Sequence, residues 1–144
     1  MDLQTLYRTV IMDNYKNPKN KGLLKTDKYH FVHLNNPSCG DDMNVEINIQ
    51  DGVVSEIHHD GKGCSICCSS ASVMSDVLKG KTVDEAHELI NDFYEMVKGN
   101  EPKNEEALGE AIAYMGVRDF PARIKCATLS WKAVEQAINE VTNK

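Results

Sequence analysis

The sequence contains no long apolar run and no excess of positive charge, and each absence excludes a class of protein. No apolar segment approaches the roughly 18 residues of a membrane-spanning helix. Residues 1–20 lack the basic segment and apolar core of a secretory signal. The net charge is -6, and no cluster of basic residues forms the concentrated basic face that binding to nucleic-acid phosphates requires. We therefore expect a cytoplasmic protein that binds neither a membrane nor nucleic acid.

Internal repeats and low-complexity linkers are also absent, and 144 residues are about the length of one domain. A chain of this length can bury a normal core without disulfide bonds. Its 5 cysteines are odd in number and unevenly spaced, which in a reducing compartment indicates metal binding or thiol chemistry rather than a disulfide framework. We expect a single domain over residues 1–144.

Apolar periodicity predicts strands followed by helices. Residues 29–34, residues 43–50 and a segment from Val53 have strand patterns, and Asp51-Gly52 is typical of a two-residue type I′ hairpin turn. We expect a three-stranded antiparallel sheet with one face in water. About five helices complete the predicted α+β fold. The first ends near Lys16, and the second follows Gly63. The third runs from the capping box Thr82–Glu85 to Gly99, a short fourth passes through Leu108 and Ile112, and the fifth begins at Pro121.

Three separated cysteines are the main chemical signal. Cys39 precedes the second strand, Cys64 lies between the third strand and the next helix, and Cys126 lies near the start of the last helix. Ends of elements from distant parts of a chain can converge, and three thiolates need one more ligand for a tetrahedral zinc or iron site. Asp41 is the natural fourth ligand, because a turn at Gly40 can direct Cys39 and Asp41 at one ion.

Spacing alone leaves other interpretations open. Structural zinc modules carry two close cysteine pairs, whereas here only Cys64 and Cys67 have the Cys-x-x-Cys form. That form also fits a redox pair, although the redox-loop Trp or Pro is lacking. The cysteines could instead be unrelated buried thiols. Asp42 is a rival of Asp41 as a ligand, and Cys68 is expected to be a small core residue.

Three segments resemble the cysteine motifs of the IscU-like proteins of iron–sulfur cluster assembly, in the same order: NNPSCGDD (35–42), GKGCSICCSSAS (61–72) and ARIKCATLSW (122–131). The amino-terminal LYRTVIMDNYKNPKN is similar too, so the resemblance covers nearly the whole chain. The scaffold branch of that family has a histidine before the last cysteine and a Leu-Pro-Pro-Val-Lys motif. This chain has Lys125 before Cys126, Phe-Pro-Ala-Arg-Ile at 120–124 and extra residues within 99–118, which resemble the SufU type.

The resemblance to the SufU type implies an IscU/SufE-like fold and a zinc-dependent sulfurtransferase. Such a protein accepts persulfide sulfur from a cysteine desulfurase and passes it on to a downstream iron–sulfur assembly scaffold. Matched residue by residue, the implied zinc ligands are Cys39, Asp41, Cys64 and Cys126. In the SufU type a histidine of the partner replaces one zinc-bound cysteine, which implies Cys39 as the sulfur acceptor and Cys126 as the alternative.

The same resemblance leaves Cys67 and Cys68 without a ligand role. Arg123, one helical turn before Cys126, is expected to stabilise the negative charge of a thiolate or persulfide. The alternative for Arg123 is a solvated side chain on a helix face.

Two other functions remain open. A scaffold for a transient iron–sulfur cluster would hold iron and sulfide, whereas a non-catalytic, zinc-stabilised interaction domain would unfold on loss of a ligand but carry no sulfur. Lys125, where the scaffold branch has histidine, is the feature that best separates the sulfurtransferase from the scaffold.

Overall fold

Most of the helices follow the three strands along the chain, as predicted. The structure is a computed structural model that describes residues 3–37 and 40–143. The described residues form a three-stranded antiparallel sheet in the order β1-β2-β3. The elements are α1 (Leu3–Lys16), β1 (His30–Asn36), β2 (Asp41–Gln50), β3 (Val53–Lys62), α2 (Ser65–Leu78), α3 (Val83–Lys98), α4 (Glu105–Leu108), a 3₁₀ segment (Gly109–Asp119) and α5 (Pro121–Thr142).

The β2–β3 hairpin brings the start of β2 beside the end of β3. Asp51 and Gly52 both have positive φ, 53° and 76°, which confirms the predicted type I′ turn. The register pairs Asp42 with Lys62. At this end a Cβ on Gly61 would collide with the Asp42 carbonyl, so only glycine permits the close approach of the two strands.

The outer face of the sheet is closed to water at Glu46, although one wet face was expected. Glu46 on β2 is almost fully buried because the connection between α1 and β1 folds over it. Its carboxylate accepts hydrogen bonds from the backbone N–H groups of Leu24, at 2.9 Å, and Lys25, at 3.1 Å. It also pairs with Nδ1 of His58 at 2.9 Å. The expectation of one wet face is therefore wrong at this position. In the part of the chain that the structure describes, no helix is long and apolar enough to cross a membrane.

The predicted short helix around Leu108 is mostly a 3₁₀ segment. Gly109, with a φ of 53°, ends α4 after four residues. The buried residues Leu108, Ala111, Tyr114 and Val117 then recur at every third position, which is the period of a 3₁₀ helix rather than an α-helix. This period keeps one apolar edge against the core along the whole segment.

Helices α2 and α5 are joined by a buried polar contact. The Ser70 hydroxyl donates to the carbonyl of Ala127 at 2.6 Å and accepts from the indole N–H of Trp131 at 2.9 Å. The Trp131 ring stacks on Phe93 of α3, with 4.0 Å between ring centroids. These contacts fix the start of α5 against α2, and Cys126 lies next to Ala127.

Candidate metal centre

Asp41, Cys64 and Cys126 meet at one end of the sheet. Each contributes one ligand atom, and the three atoms lie within 4.8 Å of one another. Asp41 begins β2, Cys64 precedes α2 and Cys126 lies in the second turn of α5. The β2–β3 register places Asp41 near Cys64, and the contact between α2 and α5 brings Cys126 to the same point.

The carboxylate of Asp41 is buried and only half satisfied. Oδ1 accepts a hydrogen bond from the backbone N–H of Cys64 at 3.0 Å. Oδ2 is buried and has no hydrogen-bond partner among the described residues. A buried carboxylate oxygen without a partner is costly, and a metal ion beside two thiols would satisfy it. The position of the carboxylate also depends on Gly63, where a Cβ would lie 2.5 Å from Oδ1.

Cys64 is the residue that immediately precedes α2. Its backbone is extended, with φ -70° and ψ 167°, and its carbonyl accepts the first hydrogen bond of the helix from the Cys68 N–H at 3.1 Å. The thiol is half-buried. The N-terminus of a helix carries a partial positive charge, and Cys64 stands at that end of α2.

Cys126 is fully buried, whereas Arg123 one turn earlier is exposed. The Cys126 thiol donates to the carbonyl of Ala122 at 3.5 Å. The charge of Cys64, followed by hydrogen bonding to and the charge of Cys126, raises the pKa of Arg123. Its guanidinium therefore lies within electrostatic reach of both thiols, on the solvent side of the centre.

The predicted ligand set is brought together in part. Cys39 lies outside the described residues, so the structure gives no position for its thiol. Asp42, the rival of Asp41, faces away from the group and pairs with Nε2 of His33 at 2.8 Å. Cys67 is fully buried, whereas Cys68 is half-buried and lines a cleft of about 460 Å³. The expectation that Cys68 is a core residue is therefore wrong, and Cys67 takes that place.

The two adjacent histidines of β3 take no part in the group. His58 pairs with Glu46 on the outer face of the sheet. Nε2 of His59 lies 2.7 Å from the carbonyl of Lys19. Burial lowers the pKa of His59, so at neutral pH its ring is uncharged and Nε2–H donates to that carbonyl.

Two residues that position the centre were not predictable from the sequence. Gly63 leaves room for the Asp41 carboxylate, and Ser70 holds α2 against α5. Glycine next to a cysteine is visible in the sequence, but the carboxylate that requires it comes from another strand. A buried serine on α2 gives no signal of its partner until α5 is placed.

Comparison with known proteins agrees with this fold. Residues 6–127 match the family described as NifU-like N terminal domain. The chain is 45% identical to the zinc-dependent sulfurtransferase SufU of Bacillus subtilis over 95% of its own length and 92% of that protein. It is 40% identical to the iron–sulfur cluster assembly scaffold protein IscU of Streptococcus pyogenes, over 98% of this chain and 87% of that protein.

A solved structure extends the likeness to three dimensions. The crystal structure of a nitrogen-fixing NifU-like protein (N-terminal) from Brucella abortus has a TM-score of 0.85 and 28% identity, and the match covers 99% of this chain and 98% of that one. The chain belongs to the family of NifU-like N-terminal domains, which includes the IscU-like proteins that its cysteine motifs resemble.

Proposed function

We propose that this protein is a zinc-dependent sulfurtransferase. It accepts persulfide sulfur from a cysteine desulfurase and passes it to a downstream iron–sulfur assembly scaffold. The observation that carries the proposal is the convergence of two thiols and one buried carboxylate, Cys64, Cys126 and Asp41, from three separate elements. The similarity to Bacillus SufU supports this choice. We further propose that residues 1–144 act as one cytoplasmic domain.

The donor set fits zinc. Two cysteine sulfurs and one carboxylate oxygen are ligands that zinc accepts, and Oδ2 of Asp41 has no other partner among the described residues. We assign the fourth position to Cys39, which is separated from Asp41 by the single residue Gly40. Bound zinc would keep the coordinating cysteines as thiolates at neutral pH.

The transfer itself needs no oxidant or reductant. A cysteine thiolate of this chain attacks the outer sulfur of the persulfide on the desulfurase. The S–S bond of the desulfurase persulfide breaks, a new S–S bond forms on the acceptor, and the desulfurase cysteine leaves as a thiolate with the bonding electron pair. We assign the acceptor role to Cys39 and keep Cys126 as the alternative, because the buried Cys126 would have to become exposed first.

Arg123 is a positioning residue in this proposal. It is exposed, it carries a permanent positive charge, and it lies near both Cys64 and Cys126. A new thiolate or persulfide at the centre would gain from that charge. Lysine at this position would keep the charge but lose the planar geometry of the guanidinium.

A scaffold for a transient iron–sulfur cluster is the second candidate, and the similarity to the Streptococcus scaffold protein favours it. The same thiols would then hold iron and sulfide. Lys125 stands against it, because the scaffold branch carries histidine there.

Metal analysis combined with a desulfurase assay tests the proposal. We expect about one zinc per freshly purified chain and strong stimulation of the desulfurase of the same organism. Cys39→Ala and Asp41→Ala should abolish the stimulation. Cys68→Ala is the matched control and should retain it, because this thiol lies outside the group and burial raises its pKa. Bound iron without stimulation would contradict the sulfurtransferase and favour the scaffold.

A further inference from the structure

An exposed segment borders the metal centre. Residues 118–123 are all exposed and run into the turn of α5 that carries Cys126, and Lys125 is exposed as well. We call residues 118–123 together with Lys125 the rim. Within the rim, Phe120 is 61% exposed, the highest value among the large apolar side chains that the structure describes as exposed.

The backbone of Phe120 is held on both sides. Its N–H donates to the carbonyl of Val117 at 2.8 Å, and its own carbonyl accepts from the N–H groups of Arg123, at 2.8 Å, and Ile124, at 3.2 Å. The ring is therefore attached to an ordered backbone, at the point where the 3₁₀ segment ends and the long helix α5 begins. A protein partner that buries it would lose little backbone entropy in doing so.

The rim is locally basic in a chain whose net charge is -6. Arg118, Arg123 and Lys125 outnumber the single rim carboxylate, Asp119. Neither Arg118 nor Lys125 forms an ion pair with a carboxylate in the described part of the chain. Unpaired cations within a few residues of an exposed aromatic ring fit a partner surface that has an apolar pocket bordered by acidic groups.

The rim also lies where a sulfur donor has to approach. Asp41 and Cys126 are buried, and the rim residue Arg123 reaches both thiols from the solvent side. A protein that delivers sulfur to this centre must come close to the rim, because a persulfide is carried on the side chain of the donor and cannot diffuse away from it.

We propose that Phe120 is the anchor by which this protein docks on its sulfur donor, and that Arg118 and Lys125 steer the encounter. The occupant is the cysteine desulfurase, with an apolar pocket for the ring and carboxylates around that pocket. The inference rests on the proposed function, to which it adds the docking surface. Aromatic residues central to an interface commonly carry much of its binding energy.

The test compares two phenylalanines of similar exposure. Phe120→Ala removes the rim ring, whereas Phe31→Ala removes a ring that is 51% exposed on β1. Desulfurase activity is titrated with wild type and each variant. For Phe120→Ala we expect the half-saturating concentration to rise about 10- to 30-fold, with an unchanged rate at saturation and unchanged zinc content. Phe31→Ala should stay within about twofold of wild type.

The outcomes separate this inference from the function on which it rests. If wild type stimulates the desulfurase and Phe120→Ala has the same half-saturating concentration, the docking assignment is wrong and the function stands. If wild type neither binds nor stimulates the desulfurase, both are wrong. A thermal melt checks the fold of each variant, and Phe120→Leu, which keeps an apolar side chain, should fall between Ala and wild type. A Leu variant weaker than Ala would also count against the ring as the anchor.

Discussion

The carboxylate of Asp41 can occupy its position because residue 63 is a glycine and has no side chain. Gly63 faces it so closely that a methyl group would lie 2.5 Å from Oδ1. This glycine does not have positive φ, so its role is to leave space rather than to adopt an unusual backbone conformation. A side chain at residue 63 would therefore disturb the geometry of the centre more than the stability of the fold.

Gly63→Ala should therefore weaken metal binding more than it destabilises the fold. The new methyl group pushes the Asp41 carboxylate away and breaks its hydrogen bond from the Cys64 N–H. We expect zinc affinity to fall about 10- to 100-fold, the usual loss when a residue that orients a ligand is disturbed. Competition with a zinc chelator measures it. Gly116→Ala is the control, because a Cβ there meets no atom within 4 Å; equal losses in the two variants would contradict the argument.

The cysteines show what the sequence can and cannot predict at this scale. Cys64 could be assigned from its motif, and the structure places it beside Asp41 and Cys126. Cys68 was expected in the core, but it is Cys67 that faces the core and Cys68 that lines the cleft. Adjacent helical residues differ by about 100° in direction, and the direction of the core was not known until α2 was packed.

At the scale of elements, the contact between α2 and α5 decides whether Cys126 reaches the centre. Ser70 is the side chain that links the two helices, through the Ala127 carbonyl and the Trp131 indole. All of these groups are buried, so no water can replace a missing partner easily.

Ser70→Ala should lower the free energy of unfolding by about 1–3 kcal/mol, because it leaves the Trp131 N–H and the Ala127 carbonyl buried without this partner. Urea denaturation measures the loss. Thr9→Ala is the control: its hydroxyl donates to the Thr5 carbonyl one turn away on an exposed helix face, and the change should stay within about 0.5 kcal/mol. A Ser70→Ala variant as stable as wild type would mean that the contact contributes nothing net.

The segment between α1 and β1 is attached to β3 through His59. Its Nε2–H donates to the Lys19 carbonyl, and backbone hydrogen bonds from Gly22 to His59 and from His59 to Asn20 complete the attachment. Burial lowers the pKa of His59 in the folded chain below the value near 6.5 of an unfolded chain.

This shift has a defined sign for stability. The unfolded chain takes up the proton first as the pH falls, so the stability from the neutral ring is complete above the unfolded pKa and is lost below it. When the pH is lowered from about 7.5 to about 5.5, the melting temperature of metal-free His59→Gln should fall by less than that of metal-free wild type. A His59→Gln variant with the pH dependence of wild type would exclude this residue as the cause.

Element type was predictable wherever the period was clear. The Asp51-Gly52 turn and the capping box of α3 follow from local chemistry, and the structure confirms both. The buried outer face at Glu46 was not predictable, because its partners are backbone N–H groups of a loop with no periodic pattern. The 3₁₀ period is visible in the spacing of Leu108, Ala111, Tyr114 and Val117, but the predicted short helix rested on Leu108 and Ile112, which are four residues apart as on an α-helix.

At the scale of the whole molecule, the proposed zinc ion would join β2, α2 and α5. Because the ligand positions come together only in the folded chain, binding free energy adds to folding free energy. A zinc concentration a thousand times the dissociation constant would add about 4 kcal/mol.

Chelation of zinc should therefore lower the melting temperature of the wild type by about 10 °C, measured by differential scanning calorimetry before and after removal of the metal. Asp41→Ala is the matched control, since a chain that has lost a proposed ligand should show a much smaller change. Equal melting temperatures for metal-loaded and metal-free wild type would argue against an ion that joins these three elements.

The separation of the ligands along the chain also bears on protein synthesis. Asp41 and Cys64 leave the ribosome well before Cys126, because α5 follows both of them in the chain. A growing chain therefore cannot bring these three residues together until α5 has emerged and packed against α2. A ribosome that stops before α5 would release a product that lacks Cys126 and cannot retain the metal as the wild type would.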